Sequence, residues 1–335
     1  MLKSRYNRLL TILFTDWLRD YDLKISVFFK KLKLPHFTLS GLFFIVPLFA
    51  EPVSETIPAI NIPKARSVYD LSQDYHQTLL LMALKKAAHG RAIPEINSTV
   101  QMSQGRAKAE LVKGKLINLY WFGTSIEMEE ELRAIPIPTT KGLIGYRKFI
   151  IRKDTLTTFN SIKNLDDLRT LTACQGQHWP DTQILQAANL KVITTPTYEN
   201  IFRMLNAKRC DYFPRGYHDT DNDLFLRKAL FSELMPYHEI ILHYPFAVYF
   251  FTNKKDESLA QWIEEGLRLL AVNNEIDQLM QSHPLTAHIY PLKDEQNTLY
   301  LPIANQLLNN NADPNDQLLW FTPKDFNIRY QPQNN

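Results

Sequence analysis

The stretch Asp211-Tyr212-Phe213-Pro214-Arg215-Gly216 decides how this 335-residue chain reads. It follows residues 198–207, whose apolar positions recur at helical spacing. A short apolar strand is expected over 212–213, stopping at Pro-Arg-Gly. Proline lacks the N–H that a central strand donates, and glycine permits a sharp exit. Arg215 is then expected to project from the carboxyl end of a strand, where open α/β sheets bind ligands. A guanidinium there suits a carboxylate or phosphate. The alternative is an arginine paired with a neighbouring acid at a lobe surface.

On either side of this unit, strands and helices alternate. Apolar runs predict strands at 59–62, 116–122, 146–152, 171–174, 192–194, 239–243 and 248–252. Helical periodicity marks 75–88, 104–112, 219–230, 256–271 and 275–282. Asn164 is placed to cap a short helix over 165–169, and Pro180 suits the first turn of another over 181–188. Such alternation implies parallel βαβ units.

Apolar residues make up 45 % of the chain and charged residues 22 %, enough apolar content for one or two real cores. The net charge of +3 is unevenly placed: residues 1–50 hold eight Lys/Arg against three Asp, which leaves the remainder two charges negative. No basic stripe with interleaved aromatics occurs, so nucleic acid is not an expected partner. Residues 1–50 read as an export signal with a long front. Lys30, Lys31 and Lys33 precede an uncharged apolar run, and Ala50 offers a cleavage point. The apolar core is short of the roughly 20 residues a bilayer span needs. A periplasmic protein is therefore expected, with an uncleaved membrane anchor as the alternative. Cys174 and Cys210 each lie at a strand edge, at ends that read as opposite, so two separate thiols are expected although an oxidising compartment permits pairing. Metal-ligand spacings, a phosphate-cradling glycine loop and a nucleophile elbow are all missing, so neither a metal, a cofactor nor a catalytic residue is expected.

Several stretches, in order, resemble the family 3 extracellular solute-binding proteins. They are Tyr75-His76-Gln77-Thr78-Leu79-Leu80, the block Leu111-Val112-Lys113-Gly114-Lys115-Leu116-Ile117-Asn118, Thr124-Ser125 followed by Glu131-Leu132-Arg133, and Lys141-Gly142-Leu143-Ile144-Gly145-Tyr146-Arg147. Ile162-Lys163-Asn164-Leu165-Asp166-Asp167-Leu168 and Leu259-Ala260-Gln261-Trp262-Ile263-Glu264-Glu265-Gly266-Leu267 complete the set. The resemblance runs from about residue 59 to 323. It implies a two-lobed α/β periplasmic-binding-protein-like ("Venus flytrap") fold with a double hinge crossover. Lobe 1 would combine 51–145 with 245–335, and lobe 2 would be 146–244. It also implies a monomer that binds a small-molecule solute between the lobes and hands it to an inner-membrane permease of an ABC transporter, or to a sensor. Where amino-acid receptors of the family place a Thr and, three residues on, an Arg, this chain has Glu127 and Glu130, with Arg133 offset by about one turn. Their acid after the lobe 2 strand is replaced by Pro214-Arg215. The expected solute is therefore anionic or polyhydroxylated rather than zwitterionic.

Candidate ligand residues follow, each with an alternative. Trp121, Thr124 and Ser125 end a lobe 1 strand; Trp121 is equally a core residue, and the hydroxyls equally cap a helix. Arg106 reaches the cleft or stays solvated. Tyr146 and Arg147 lie on a hinge strand and contact ligand or only bend. Gln177 and Trp179 occupy the turn into a helix N-terminus, which attracts anions. Asp181 in that helix is read as a dipole partner. The functional expectation is solute binding. The alternatives are a dehydratase-like enzyme on the same scaffold, with His178 or His218 as acid/base, and a degenerate sensor or partner-binding module.

Overall fold

The computed structural model describes residues 58–328; the expected export signal lies outside them. The chain runs through β1 (Ile60–Ile62), α1 (Leu71–Lys86), β2 (Ile96–Ser98), α2 (Gln104–Lys113), β3 (Leu119–Gly123), α3 (Ile126–Glu131) and β4 (Arg133–Ile135). It continues through β5 (Tyr146–Arg152), α4 (Leu156–Asn160), α5 (Leu165–Arg169), β6 (Thr172–Gly176), α6 (Pro180–Ala187), β7 (Lys191–Thr195) and α7 (Tyr198–Asn206). Then come β8 (Tyr212–Gly216), α8 (Thr220–Arg227), β9 (Leu234–His243), β10 (Val248–Thr252), α9 (Glu257–Val272), α10 (Glu275–Ser282) and β11 (Leu299–Pro302).

Local chemistry sets several boundaries. The Ser103 and Ser125 hydroxyls accept the Arg106 and Met128 amides at the starts of α2 and α3. Asn164 caps α5 in the same way, and Pro180 occupies the first turn of α6. Gly114 ends α2 with φ of 62°, a left-handed conformation that costs glycine little.

Strands β3, β10 and β4 form an antiparallel sheet, and β1 pairs with β2 in parallel. A second sheet has the order β11-β9-β5-β8-β6-β7. It is mixed rather than wholly parallel. β5 enters it and β9 leaves it, so β5 runs antiparallel to both β9 and β8, while β6 is parallel to β7 and β8. β11 closes the edge in parallel with β9. One apolar core gathers around α1, α9 and the three-stranded sheet, with Trp320 and Phe326 from the C-terminal segment. Separate cores lie on the two faces of the six-stranded sheet. Where α9 crosses α1, a Cβ on Gly266 would stand 2.0 Å from the Ala83 carbonyl oxygen, so only glycine permits this approach. Among the described residues no helix is long and apolar enough to cross a membrane.

Two expectations are corrected. β8 does not stop at Phe213: residues 212–216 pair with β5 throughout, Pro214 opposite Phe149. β6 touches β8 only at the Ala173–Tyr212 pair, so the proline breaks no ladder on that side. The two cysteines are not separate thiols. β6 and β8 are neighbours, and Cys174, midway along β6, and Cys210, just before β8, have Cα atoms 5.7 Å apart, joined as a disulfide.

Candidate functional site

The carboxyl ends of β6 and β8 and the start of β5 face α1 and β3 across a gap between the two sheet-based halves. A cavity of about 80 Å³ occupies it. Arg66, His76 and Trp121 line it from one half, and Arg147, Arg215 and His218 from the other. Two larger hollows, of about 280 and 340 Å³, adjoin it. All three share Gln104 of α2 and Trp179 of the β6–α6 turn as walls. The neighbouring His178 packs on Gly105, where an added Cβ would meet its ring at 2.8 Å. α2 and the β6–α6 turn therefore touch across the gap and divide it.

Every guanidinium at the cavity has a carboxylate of its own. Arg215 donates from Nε to Asp223 at 2.8 Å and places Nη2 3.0 Å from Asp219. Both acids sit on the segment entering α8, one and two turns beyond Arg215, so the strand-to-helix turn folds them back onto it. The pairing alternative weighed for Arg215 is the arrangement found, and its expected role as a free anion anchor is corrected. Arg147 of β5 pairs with Asp181, which also accepts the Tyr244 hydroxyl at 2.8 Å. Asp181 does lie in the first turn of α6, as expected of a dipole partner, and is in addition a buried ion-pair partner. Arg66 holds Asp70 by two bonds, of 2.8 and 3.1 Å. Arg227 binds Glu199 and Asp223 behind Arg215.

For Asp70 and Asp219 burial opposes ionisation, but the neighbouring guanidiniums outweigh it. Asp70, beside Arg66, is carried down to about 2, and Asp219, beside Arg215, is also lowered. Burial pulls Arg215 down, yet Asp219, Tyr198 and Asp223 leave it raised. The histidines go the other way. Burial takes His76 to about 3 and lowers His218 despite Asp219, so both are neutral near pH 7. His76 is also fixed in place: Nδ1 meets the Ser72 carbonyl at 2.7 Å, Nε2 meets Thr139 at 3.0 Å, and the ring stacks on Trp121.

Two cavity-lining groups remain unsatisfied among the described residues. Arg147 Nε and His218 Nδ1 are buried and have no hydrogen-bond partner, although the residues are only 1 % and 4 % exposed. Gln175, at the end of β6, is fully buried with neither amide atom bonded. Buried polar groups are rarely left so, and such atoms mark places for a ligand or water.

The sequence candidates divide clearly. Arg215, Arg147, Trp121 and Trp179 meet at the central cavity. The Trp121 ring lies 4.7 Å from His76, and the Arg215 guanidinium lies 5.6 Å from the Trp179 ring. Gln177 borders both outer hollows, and Ser125 borders the larger while capping α3. Thr124 is buried away from the cavities and donates to Glu129 at 2.5 Å. Arg106 is exposed on α2, because its neighbour Ala107 takes the inward position. Tyr146 is core, stacked at 4.1 Å on His243 with its hydroxyl on the Phe321 carbonyl. Arg133 is held by Glu257 and Glu264. Arg66, His76 and Asp219 had escaped the sequence reading. The four-residue spacings Arg66–Asp70 and Arg215–Asp219 were the available signal. Among the described residues no group of three His, Cys, Asp or Glu side chains is placed to hold a metal.

No family model and no curated protein sequence matches the chain. Solved structures do. A histidine kinase sensor domain with similarity to periplasmic binding proteins aligns with a TM-score of 0.50 at 16 % identity, over 68 % of this chain and 96 % of that one. An ancestral arginine-binding protein bound to arginine aligns at 0.50 and 13 % identity, over 68 % and 98 %. The periplasmic binding protein with high arginine specificity from Salmonella typhimurium gives the same figures. The chain therefore has the two-lobed α/β fold of periplasmic binding proteins.

Proposed function

We propose that this protein binds a small polar solute between its two α/β halves, 51–145 with 245–335 on one side and 146–244 on the other, except that β11 (Leu299–Pro302) joins the sheet of the second half by pairing with β9. The observation that carries this reading is a cavity between the halves lined by Arg147 and His218, each of which also holds a buried polar atom with no hydrogen-bond partner among the described residues. A cavity that leaves such atoms unpartnered is a site prepared for a guest. The fold supports it, because binding in a gap between lobes needs only the gap and a hinge. Export to the periplasm, and delivery of the solute to a permease or sensor, belong to the same reading.

The second reading is an enzyme, and the specific observation for it is His218 beside Asp219, with Nε2 and Oδ1 3.5 Å apart. Binding is favoured over it because Asp219 is already held by Arg215. Ser72 and His76, although 3.1 Å apart, do not make a nucleophile and base either: the His76 Nδ1 proton is directed to the Ser72 carbonyl at the shorter distance. Native mass spectrometry of protein isolated from the exported fraction tests the proposal. A retained small molecule, released on denaturation, is the expected result. An empty protein that also takes up nothing from a cell extract would overturn it.

A further inference from the structure

We propose that the solute carries no charged group and presents a hydrogen-bond acceptor beside a donor, as an amide or a vicinal diol does. This rests on the binding reading above and names its ligand class.

The charge balance comes first. The linked guanidiniums at and behind the cavity are Arg66, Arg147, Arg215 and Arg227, and their carboxylates are Asp70, Asp181, Asp219, Asp223 and Glu199. Four positive charges face five negative ones, so the wall holds no surplus positive charge for an anion. A carboxylate or phosphate entering here has to displace Asp181, Asp219 or Asp70 from its arginine. That leaves a buried carboxylate unpaired, the costly way to break such a pair. A zwitterion meets the same obstacle at its acidic end.

The unsatisfied atoms then define what fits. Arg147 Nε carries a proton and seeks an acceptor. A carboxylate beside His218 Nε2 favours the tautomer protonated there, leaving Nδ1 as an acceptor that seeks a donor. The two side chains are neighbours, since Arg147 pairs across the sheet with Gly216, two residues before His218. One acceptor and one donor are thus wanted close together. The remaining wall is mixed: Trp121, Phe122, Trp179 and Phe246 give it apolar surface, and Ser72, Gln104 and Thr140 give it uncharged polar groups. The volume is enough for roughly half a dozen water positions, a size that suits a compact head group, with the adjoining hollows open to a longer tail.

The test is a thermal-shift and calorimetric panel on the purified protein with three classes of probe. These are the common α-amino acids; dicarboxylates and inorganic phosphate; and uncharged amides, polyols and sugars. Stabilisation confined to the uncharged class is expected, with an affinity that changes less than about twofold between low and high salt, as binding without charge pairing requires. H218F removes the acceptor at similar bulk and is expected to weaken binding about tenfold. Should H218F fail to fold, the salt series on the unaltered protein carries the test. Saturable binding of a dicarboxylate, phosphate or amino acid, weakening steeply with salt, overturns the ligand class while leaving the binding function intact. No binding in any class, together with no retained molecule in the native spectrum, overturns the binding function itself.

Discussion

Replacing Cys174 and Cys210 together by alanine removes a cross-link whose worth follows from the chain it closes. The two residues are 36 apart in sequence, and both are buried. In the chain-entropy account, closing a loop of that length restricts the unfolded ensemble by about 4 kcal/mol at 25 °C. For a body of this size each kcal/mol moves the melting temperature by roughly 2–4 °C, so a fall of about 10 °C is expected. The bridge ties β6 to β8, whose far ends carry Gln175 to Trp179 and Arg215 to His218. Its loss therefore loosens the second half of the site along with the fold. Differential scanning calorimetry of the C174A/C210A protein measures the effect. Alkylation in denaturant without reductant, read by intact mass, asks first whether the bond exists. Two alkylated thiols in the isolated protein, or a melting temperature within about 2 °C of the parent, refutes the argument.

The pH dependence follows from a buried histidine, His76, and a half-buried one, His243. Burial lowers both His76 and His243 to about 3, against an unfolded value near 6.5. Above pH 6.5 both states are neutral and stability is full. As pH falls the unfolded chain takes up protons that the folded one refuses, so stability is lost from pH 6.5 down to about 3, by about 2 kcal/mol per histidine at pH 5. Urea midpoints across pH 4–7 report this, and a flat profile contradicts it. Lys148 and Glu295 form a buried pair at 2.6 Å, and Tyr217 and Thr298 also donate to Glu295. Lys148→Met leaves that carboxylate uncompensated and is expected to cost about 3–5 kcal/mol, with K148M/E295Q recovering most of it. Equal losses in the single and double variants rule out this origin. Gly266→Ala drives a methyl into the α1 backbone and is expected to cost about 3 kcal/mol in denaturant melts, at the upper end for overpacking. A neutral result means the helices separate freely.

Much of the architecture was legible because it rests on local rules. β5 and β10 occupy the expected residues, as does α5 behind its Asn164 cap, since apolar runs and caps are encoded within a few positions. What escaped depends on partners distant in sequence. That Cys174 and Cys210 come within bonding distance needs β6 and β8 to be known as neighbours. The antiparallel course of β5 needs the crossover to be traced. At the site, Arg215 lies where expected, but of its two readings the paired one holds, because Asp219 and Asp223 fold back onto it from beyond the strand end. Asp181 was judged by its helix alone, whereas Arg147 and Tyr244 reach it from other elements. Trp121 and Trp179 were placed by strand ends and turns. Arg106 was misplaced by a single step of helical phase.

The edge strand β11 has a mechanical consequence. The chain leaves the first core after Ile289, adds Leu299–Pro302 beside β9, and returns to give its Leu307 carbonyl to the Ile126 amide. Tyr146, His243 and Pro302 thus lie abreast in one row of the ladder. Any swing of one half against the other has to strain the outgoing and returning segments around β11 as well as the two crossovers. A stiffer spring narrows the angular range and makes wide gaping rarer, so an occupant held by unchanged contacts stays longer before it escapes.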